Sequence, residues 1–599
     1  MGNEVFKLPT IKSRNHILTL IKNNIELNEQ VFDTGMIMED TVEEKQSSNE
    51  NTNSASSSQE FSGTNNQVDG VDEGDILKTD GVYIYKVDEY KNVLIIHANP
   101  ENPKIVGTIN MDENVNISEL FLVKNKLVIV ANAWEVSSYL KEGDMSSNKI
   151  ATDYMPWYGG NNETKVFIYS LLNISNPKLE KEYSFDGSYV SGRTIESNLY
   201  FVTNKNMYYD WYRVLEDKSS INDEMLLPSY KDCTVGEEVT LEYEDIQYYP
   251  DFSEPSYMIT IGIQLDKLNK EPDVQAYLGS SGTIYVSKDK LFTTITKYDS
   301  KKIINNNNYI STQIYQYDLK DGNIIASGKG EVPGTIVNQF SMDTYENNFR
   351  IATTTGFSWD EVNPSKNNLY ILNANMKTVG KLEGLAEGET IYSTRFMGNK
   401  VYMVTFKQVD PLFVIDAFNP TKPVVLGYLK IPGFSEYLHP VDENHLLGFG
   451  YDTNAEGDRV TTGGLKLSLF DVTDPLKPIE KQNQVIGKQG SYSELLWNHK
   501  ALMYSNEQEL MAFPVQLAGE NYNIEFDGAM VYSISNEGFH QKGNITHYNT
   551  GIQQDQNNYN WNSNISRILY IENYLYTFSE GKLQVHDAQT LEFISDLKL

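Results

Sequence analysis

Polar side chains, most of them charged, recur at one position of a weak sequence repeat, and they are the side chains of this chain best suited to chemistry. The members of this set are Asp75, Glu119, Arg193, Thr283, Gln339, Arg395, Glu436, Glu494 and Arg567. Glu436 and Glu494 are carboxylates, the groups that glycosidases use in pairs. Clustered charge more often forms a structural network than a site. The set therefore favours a ring of ion pairs, and a polar ligand site is the alternative.

An acidic cluster near residue 70 is the main candidate metal site. Its members include Asp69, Asp72 and Asp75. Calcium prefers carboxylate oxygens, although the spacing of these residues differs from that of an EF-hand loop. Asp-Gly pairs also form turns, which is the alternative interpretation. We expect that no cofactor is required, and calcium (Ca²⁺) is the ion that the sequence suggests.

Aromatic side chains are abundant in the long irregular segments of the chain. Eight of them are candidate ligand contacts: Trp134, Trp157, Tyr158, Tyr208, Tyr209, Trp211, Trp359 and Trp561. Exposed aromatic rings with a polar end suit sugars or peptides, because they give contact area at low entropic cost. Long loops also use aromatic residues to pack small cores of their own, which is the alternative for each ring.

A weak pattern that recurs nine times organises these residues. Each copy begins with a small or turn residue, a polar residue and two mostly apolar ones. The sixth copy shows four β-rich runs, Thr390–Met397, Lys400–Lys407, Pro411–Phe418 and Val424–Ile431. Four short antiparallel strands per repeat are typical of a β-propeller. We predict an all-β propeller of nine four-stranded antiparallel blades. Eight blades are the alternative, because propellers usually have roughly four to eight.

The long irregular segments fall where a propeller would expose them on one face. Six lie between the second and third strands of a repeat and one lies between repeats: 134–164, 205–257, 297–310, 356–366, 452–463, 516–528 and 548–562. Both loop types emerge on the same side of the disc, which we call the insertion face. Insertions confined to one face indicate a binding face.

The recurring polar residues are expected at the start of each innermost strand, just beneath the insertion face and at the mouth of the central channel. Neighbours in this ring often carry opposite charge. The predicted ion pairs are Glu119 with Arg193, Arg395 with Glu436, Glu494 with Arg567, and Arg567 with Asp75 across the closure of the ring.

The N-terminal part of the chain lacks the repeat. Residues 1–38 contain one short amphipathic helix within residues 11–32. Residues 39–67 are rich in Ser, Asn, Glu and Gln, which predicts a disordered linker. Residues 68–599 then form the propeller.

The composition excludes several classes of function. A net charge of −33 argues against nucleic-acid binding, which needs a basic footprint, and against adhesion to anionic lipid. No run approaches the roughly 18 apolar residues of a membrane span. Motifs such as His-Glu-x-x-His, the Walker loop and Gly-x-Ser-x-Gly are absent. We therefore predict a protein without enzymatic activity and favour a monomer.

Several long strings resemble a known family. They include TNNQVDGVDEGDILKTDG at Thr64–Gly81, VPGTIVNQFSMD at Val332–Asp343 and LSLFDVTDPLKP at Leu467–Pro478. They are similar to a bacterial and archaeal family of secreted proteins with a C-terminal β-propeller distantly related to WD-40 repeats. The resemblance covers about residues 64–599 and implies a propeller that is secreted or lies at the cell surface. It implies no catalytic residue, and the chain shows no signal sequence.

The leading hypothesis is an extracellular binding module. It would hold a glycan, a peptide or a surface protein on the insertion face. The alternative is a polysaccharide hydrolase or lyase that uses Glu436 and Glu494 at the channel mouth. A third hypothesis is a scaffold whose N-terminal helix docks a partner.

Overall fold

Nine consecutive sheets make up most of the molecule. The computed structural model describes residues 6–32, 61–135, 161–207, 211–218, 221–252, 254–298, 310–407, 410–456, 459–548 and 561–599. Seven sheets consist of four antiparallel strands that follow one another along the chain, and the second and third sheets have four antiparallel strands with two further strands at their edges. The sheets are the blades of a β-propeller. The prediction of nine blades is confirmed, and the alternative of eight is wrong.

The blades are formed by strands with the following bounds. Blades one to three have Leu77–Thr79, Tyr83–Val87, Val93–His97 and Lys104–Ile109; Val115–Val123, Lys126–Glu135, Asn161–Ser170 and Lys178–Asp186; and Ser188–Ile195, Asn198–Asn206, Ser256–Gln264 and Asp273–Leu278. Blades four to six have Ile284–Val286, Lys290–Tyr298, Ile310–Lys320 and Asn323–Pro333; Met342–Tyr345, Asn348–Thr355, Lys366–Leu372 and Thr378–Leu385; and Thr390–Met397, Lys400–Phe406, Asp410–Asp416 and Val424–Ile431. Blades seven to nine have Phe434–Asp442, His445–Glu456, Arg459–Asp471 and Ile479–Ile486; Met503–Ser505, Leu510–Ala518, Ile524–Ser535 and Gly538–Ile545; and Arg567–Ile571, Tyr574–Phe578, Lys582–Asp587 and Phe593–Lys598.

The second strand of a blade is apolar on both faces because a neighbouring blade covers each face. In blade two, Leu127, Ile129 and Ala131 pack in a cluster shared with blade one. Val128 and Val130 point the other way and pack in a cluster shared with blade three. Successive strand residues face opposite sides of a sheet, so a continuous apolar run supplies two inter-blade cores.

Neighbouring blades also interlock through glycines near the rim of the disc. The fourth strand of blade five contains Gly380, against which the backbone of Pro420 in blade six is packed. A Cβ atom at Gly380 would lie 1.9 Å from the Pro420 carbonyl oxygen. The same arrangement recurs at Gly427, which receives the turn at Pro475 of blade seven. The Asn-Pro and Asp-Pro turns thus pack each of these blades against the blade before it.

Additional elements decorate blades two and three. The helix Arg14–Phe32 packs Ile17, Leu18 and Ile21 into a cluster that contains Trp211 of the blade-three insertion. The insertion's other elements are the helices Trp211–Glu216 and Asp223–Leu226, the 3-10 helix Tyr243–Asp245, and the strands Ser229–Asp232, Glu237–Thr240 and Gln247–Tyr248. Five further 3-10 helices lie between strands of the propeller: Gln339–Ser341, Glu494–Leu496, His499–Ala501, Glu520–Tyr522 and Trp561–Ser563. The predicted N-terminal helix is therefore present and docked on blade three.

Blades one and nine meet without exchanging a strand in the described part of the chain. Leu77 and Ile84 of blade one share a core cluster with Ile571 and Phe578 of blade nine. The first strand of each blade lies nearest the central channel, and we call it the inner strand. Residues 61–76, which precede blade one, also lie against inner strands. We call them the inner segment.

The inner segment corrects one predicted boundary. Residues 39–67 were expected to be a disordered linker, but within them residues 61–67 make ordered contacts in the channel, where Phe61 pairs with Ile571. Asn65 and Gln67 form hydrogen bonds with blades that are distant in the sequence. Composition does not reveal such long-range partners. Residues 39–60 lie outside the described residues.

We expect stability to fall below about pH 6.5, because three histidines are buried as neutral rings. Burial lowers the pKa of His439 and His547 to about 3 and that of His586 to about 4. An unfolded histidine has a pKa of about 6.5, so between about pH 6.5 and pH 3 the unfolded state binds more protons. Stability therefore decreases as pH falls through this window, by about 1.4 kcal/mol per pH unit for each ring.

Urea unfolding at several pH values measures this slope. His547 is a suitable probe, because its two ring nitrogens lie 2.9 Å from the hydroxyls of Ser579 and Thr577. His547→Gln should give a slope shallower than the wild-type slope by about one proton. An unchanged slope would mean that this histidine is not buried in its neutral form.

Candidate functional site

The strand bounds place the long segments where the sequence analysis expected them. They separate the second and third strands of blades two, three, four and five, and they connect blades eight and nine. In blades seven and eight, residues 452–463 and 516–528 instead mostly extend the hairpin of the second and third strands. Because strand direction alternates within each blade, all of these segments emerge on the insertion face.

The predicted aromatic contacts do not form one cluster. Trp134, Trp359 and Trp561 are exposed by 43%, 64% and 69%, but they lie on blade two, on blade five and between blades eight and nine. Trp211 is buried beneath the N-terminal helix, and its indole N–H donates to the Met207 carbonyl oxygen. Trp211 therefore packs a local core, which was the alternative interpretation. Trp157, Tyr158, Tyr208 and Tyr209 lie outside the described residues.

A different group of aromatic rings is contiguous where blades six, seven and eight meet the insertion face. We call it the aromatic rim: Tyr392, Phe406, Phe434, Tyr451, Tyr492 and Trp497. The ring centroid of Phe434 lies 4.9 Å from that of Tyr392 and 4.6 Å from that of Phe406. The Tyr451 ring lies 5.9 Å from Phe434 on the other side. The row thus crosses from blade six into blade seven.

Tyr492 and Trp497 belong to blade eight, and Tyr492 is close enough to Tyr451 to contribute to the raised pKa of that side chain. The Trp497 indole N–H donates to the Tyr492 hydroxyl oxygen, and the two side chains stay 39% and 42% exposed respectively. Tyr492 is held at the insertion face because its backbone pairs with Gln516, near the end of the second strand of blade eight. These two rings are the solvent-facing part of the aromatic rim.

Two carboxylates of the predicted ring lie beside the aromatic rim. Burial, followed by the charge of Glu436 and the neighbouring Tyr492, raises the pKa of Tyr451 to about 12. Burial and the charge of Glu494 likewise raise the pKa of Tyr492. Glu436 occupies a β-bulge in the first strand of blade seven, between the paired residues Ser435 and Tyr437. Bulges commonly re-aim a side chain next to a site.

Arg567 forms the ion pairs that the sequence analysis expected of it. Its Nε atom lies 2.9 Å from an oxygen of Asp75, and its Nη1 atom lies 2.8 Å from an oxygen of Glu494. Asn498 also donates to Glu494, at 2.6 Å. Arg567 of blade nine therefore joins the inner segment to the 3-10 helix that precedes blade eight.

Other predicted pairs differ in partner and in depth. Glu119 contacts Lys500 at 2.8 Å instead of Arg193. Arg193 contacts Glu73 of the inner segment at 3.3 Å, and its Nη2 atom donates to Gln339 at 3.3 Å. The prediction of a Glu119–Arg193 pair is wrong, because each side chain pairs with a residue from a segment distant in the sequence. Arg395 is buried on the first strand of blade six, and its predicted pair with Glu436 stays a prediction.

The polar residues also lie at different depths in the channel. Glu119 is the fifth of nine residues in its strand, and Arg193 and Arg395 are each the sixth of eight. The strands continue upstream of these residues through β-bulges, which the repeat pattern does not show. The expected single ring at the strand starts is therefore wrong for these positions.

The three aspartates of the predicted calcium site do not converge. Asp69 contacts Lys288 at 3.2 Å, Asp72 contacts Lys78 at 2.9 Å, and Asp75 contacts Arg567. The described residues contain no group of three His, Cys, Asp or Glu side chains close enough to hold a metal ion. Calcium binding stays a prediction.

The fold and the aromatic rim define a nine-bladed β-propeller with one decorated face. The chain belongs to the family described as the beta propeller domain, whose model matches residues 61–591. That match begins at the first residue of the inner segment. No helix in the described ranges is long and apolar enough to cross a membrane.

Two curated relatives are both named as uncharacterized proteins. An uncharacterized protein of Methanocaldococcus jannaschii is 28% identical over 607 residues, covering 92% of this chain and 85% of the relative. An uncharacterized protein of Archaeoglobus fulgidus is 28% identical over 593 residues, covering 90% of this chain and 85% of that relative.

Solved structures with similar folds match only distantly. The β-propeller domain of the Trilobed protease from Pyrococcus furiosus is 8% identical with a TM-score of 0.28, covering 74% of this chain and 100% of that one. A eukaryotic initiation factor is 8% identical with a TM-score of 0.34, covering 76% of this chain and 95% of that one.

Proposed function

We propose that this protein is a non-catalytic module that binds a glycan on the aromatic rim and acts outside the cytoplasm. The observation that carries the proposal is the pair of half-exposed rings, Tyr492 and Trp497, fixed to each other by a hydrogen bond. Flat rings that are already ordered offer contact area without a further loss of side-chain entropy. The face of a pyranose ring matches such a surface in size and polarity.

The charge beside the aromatic rim narrows the class of glycan. Carboxylate oxygens only accept hydrogen bonds when ionised, so Glu436 and Glu494 suit hydroxyl or ammonium donors. Glu494 is held in position by Arg567 and Asn498. The chain as a whole carries a net charge of −33, which disfavours an anionic polymer. A neutral or amino-sugar polysaccharide is therefore the proposed ligand class.

The hydrolase or lyase alternative receives less support. Glu494 already serves in the ion pair that links blades eight and nine, so a structural role accounts for it. The location outside the cytoplasm is supported by the family resemblance of the sequence strings. A peptide or a surface protein as the ligand is the remaining alternative, and the test below separates it from a glycan.

The test is retention of the full chain on insoluble polysaccharides of three kinds, neutral, amino-sugar and uronic-acid. Trp497→Ala removes one exposed ring of the aromatic rim. Trp359→Ala is the matched control, because it removes an exposed tryptophan from the same face but from blade five. Both variants should unfold at the wild-type temperature, since neither ring is buried.

We expect retention on the neutral or amino-sugar polymer, with about tenfold weaker binding by Trp497→Ala. A tenfold loss corresponds to about 1.4 kcal/mol, a typical cost of truncating one aromatic contact. Equal binding by Trp497→Ala and wild type would contradict the assignment of the site, and release of soluble sugars would favour the hydrolase or lyase. Retention on none of the three polymers would contradict the glycan proposal.

A further inference from the structure

The inner segment, residues 61–76, begins at the joint between the first and last blades. Phe61 pairs with Ile571 on the inner strand of blade nine and packs against Gly81 of blade one. The Ser62 N–H donates to the Tyr570 carbonyl oxygen at 2.9 Å, and the Tyr570 N–H donates to the Ser62 hydroxyl at 2.9 Å. This end of the segment therefore bridges the two blades.

The middle of the inner segment contacts blades seven, eight and five. The Asn65 side-chain amide donates to the Tyr437 hydroxyl of blade seven at 3.2 Å. The same amide donates to the His499 carbonyl oxygen, just before the inner strand of blade eight, at 3.1 Å. Gln67 donates to the Gln339 carbonyl oxygen beside blade five at 3.1 Å.

The last part of the inner segment follows the remaining blades. Asp69 contacts Lys288, in the first turn of blade four, at 3.2 Å. Asp72 and Glu73 form a short strand, Asp72–Glu73, that pairs with the inner strand of blade three. Asp75 then pairs with Leu120 of blade two before the chain enters blade one.

Buried charge fixes this path. Glu73 is only 1% exposed, and its carboxylate contacts Arg193 at 3.3 Å and lies 3.7 Å from the His499 ring. Lys78 of blade one returns to the segment and donates to the Thr64 hydroxyl at 2.7 Å. A buried charge that loses its partner is strongly destabilising, so these contacts favour one course of the chain.

The blades are contacted in an order that runs against the sequence: nine, eight and seven, five, four, three and two. We propose that the inner segment is a clasp that holds the nine-bladed ring closed from inside the channel. In the described part of the chain, every other pair of neighbouring blades is also joined by the connection from one blade to the next, whereas blades nine and one are joined through the inner segment. Tethering both blades through one ordered segment lowers the entropic cost of closing the ring.

The clasp does not depend on the identity of the ligand proposed for the aromatic rim, and its test needs no ligand.

The test is hydrogen exchange of the full chain measured by mass spectrometry. The double variant Ser62→Ala/Asn65→Ala removes side-chain hydrogen bonds to blades seven, eight and nine. Asn483→Ala is the matched control, since it removes an amide that donates to Glu480 on the exposed outer strand of blade seven. The single variant Asn65→Ala serves if the double variant does not fold.

We expect the inner strands of blades one and nine, Leu77–Thr79 and Arg567–Ile571, to exchange at least tenfold faster in the clasp variants. The second strand of blade five should exchange at the wild-type rate, and the control should show no change in any blade. Unchanged exchange at the joint in the clasp variants would overturn the proposal. An equal acceleration in all nine blades would also overturn it, because it would mean general destabilisation instead of opening at one joint.

Discussion

Arg567→Met is expected to lower the free energy of unfolding by about 3–5 kcal/mol. Arg567 is buried on blade nine, where it neutralises both Asp75 of the inner segment and Glu494 before blade eight. Burial alone would lower the pKa of Arg567, but the two carboxylates raise it above its usual value. Methionine fills a similar volume and carries no charge, so the variant leaves two carboxylates in a low-dielectric site without their cation.

Two further variants separate the loss of charge from other effects of replacing Arg567. Arg567→Lys keeps the charge but loses the forked geometry that reaches both carboxylates, so an intermediate loss is expected. Lys22→Met is the surface control, because Lys22 pairs with Glu26 in an exposed helical ion pair worth under about 0.5 kcal/mol. Chemical denaturation of the three variants measures the differences. If Arg567→Met were as stable as Lys22→Met, the ion-pair account of the channel mouth would be wrong.

Gly380→Ala is expected to cost about 3 kcal/mol or more. The new methyl group would lie 1.9 Å from the carbonyl oxygen of Pro420, so blade six must move away from blade five. A backbone oxygen in a turn cannot rotate aside as the end of a flexible side chain would. The clash therefore disturbs the packing of blade six against blade five.

Gly581→Ala is the matched control for this substitution. Its nearest neighbour would be the Asn562 carbonyl oxygen at 3.4 Å, an ordinary contact distance. Replacing glycine where alanine fits reduces the entropy of the unfolded chain, so this control should be unchanged or slightly more stable. Thermal unfolding compares the melting temperatures of the two variants. Equal melting temperatures would contradict the close packing of the blades at this glycine.

The sequence specified the blades well because their signals are local. In blade six the predicted strands Thr390–Met397 and Val424–Ile431 coincide with those of the structure, and the other two differ by one or two residues at their ends. Apolar runs, turn residues and Asn-Pro pairs lie within a few residues of the elements that they determine. A repeat of such signals then gives the architecture.

The inner segment could not be predicted in the same way, because its partners are remote in the sequence. Asn65 reaches Tyr437 and His499, which lie 372 and 434 residues away. A polar stretch with no local partners has the composition of a disordered linker. Only the closed ring brings its partners together.

The candidate site was predicted in part. Glu436 and Glu494 were identified from their repeat position, and they lie beside the aromatic rim. The rings themselves were missed, because Tyr392, Phe406 and Phe434 occur inside apolar strands and look like ordinary core residues. Phe434 is buried and the other two rings are half-buried, and their contact with one another at the insertion face is not visible in sequence periodicity.

The central claim is that the insertion face binds the ligand and that the channel is structural. Comparing Trp497→Ala with Asn65→Ala tests it most directly, with glycan retention and melting temperature measured for both proteins. We predict that Trp497→Ala loses about tenfold in retention at an unchanged melting temperature. Asn65→Ala should melt at a lower temperature and, while folded, be retained like the wild type. The opposite pattern, with retention lost in Asn65→Ala and kept in Trp497→Ala, would place the binding site in the channel and contradict this account.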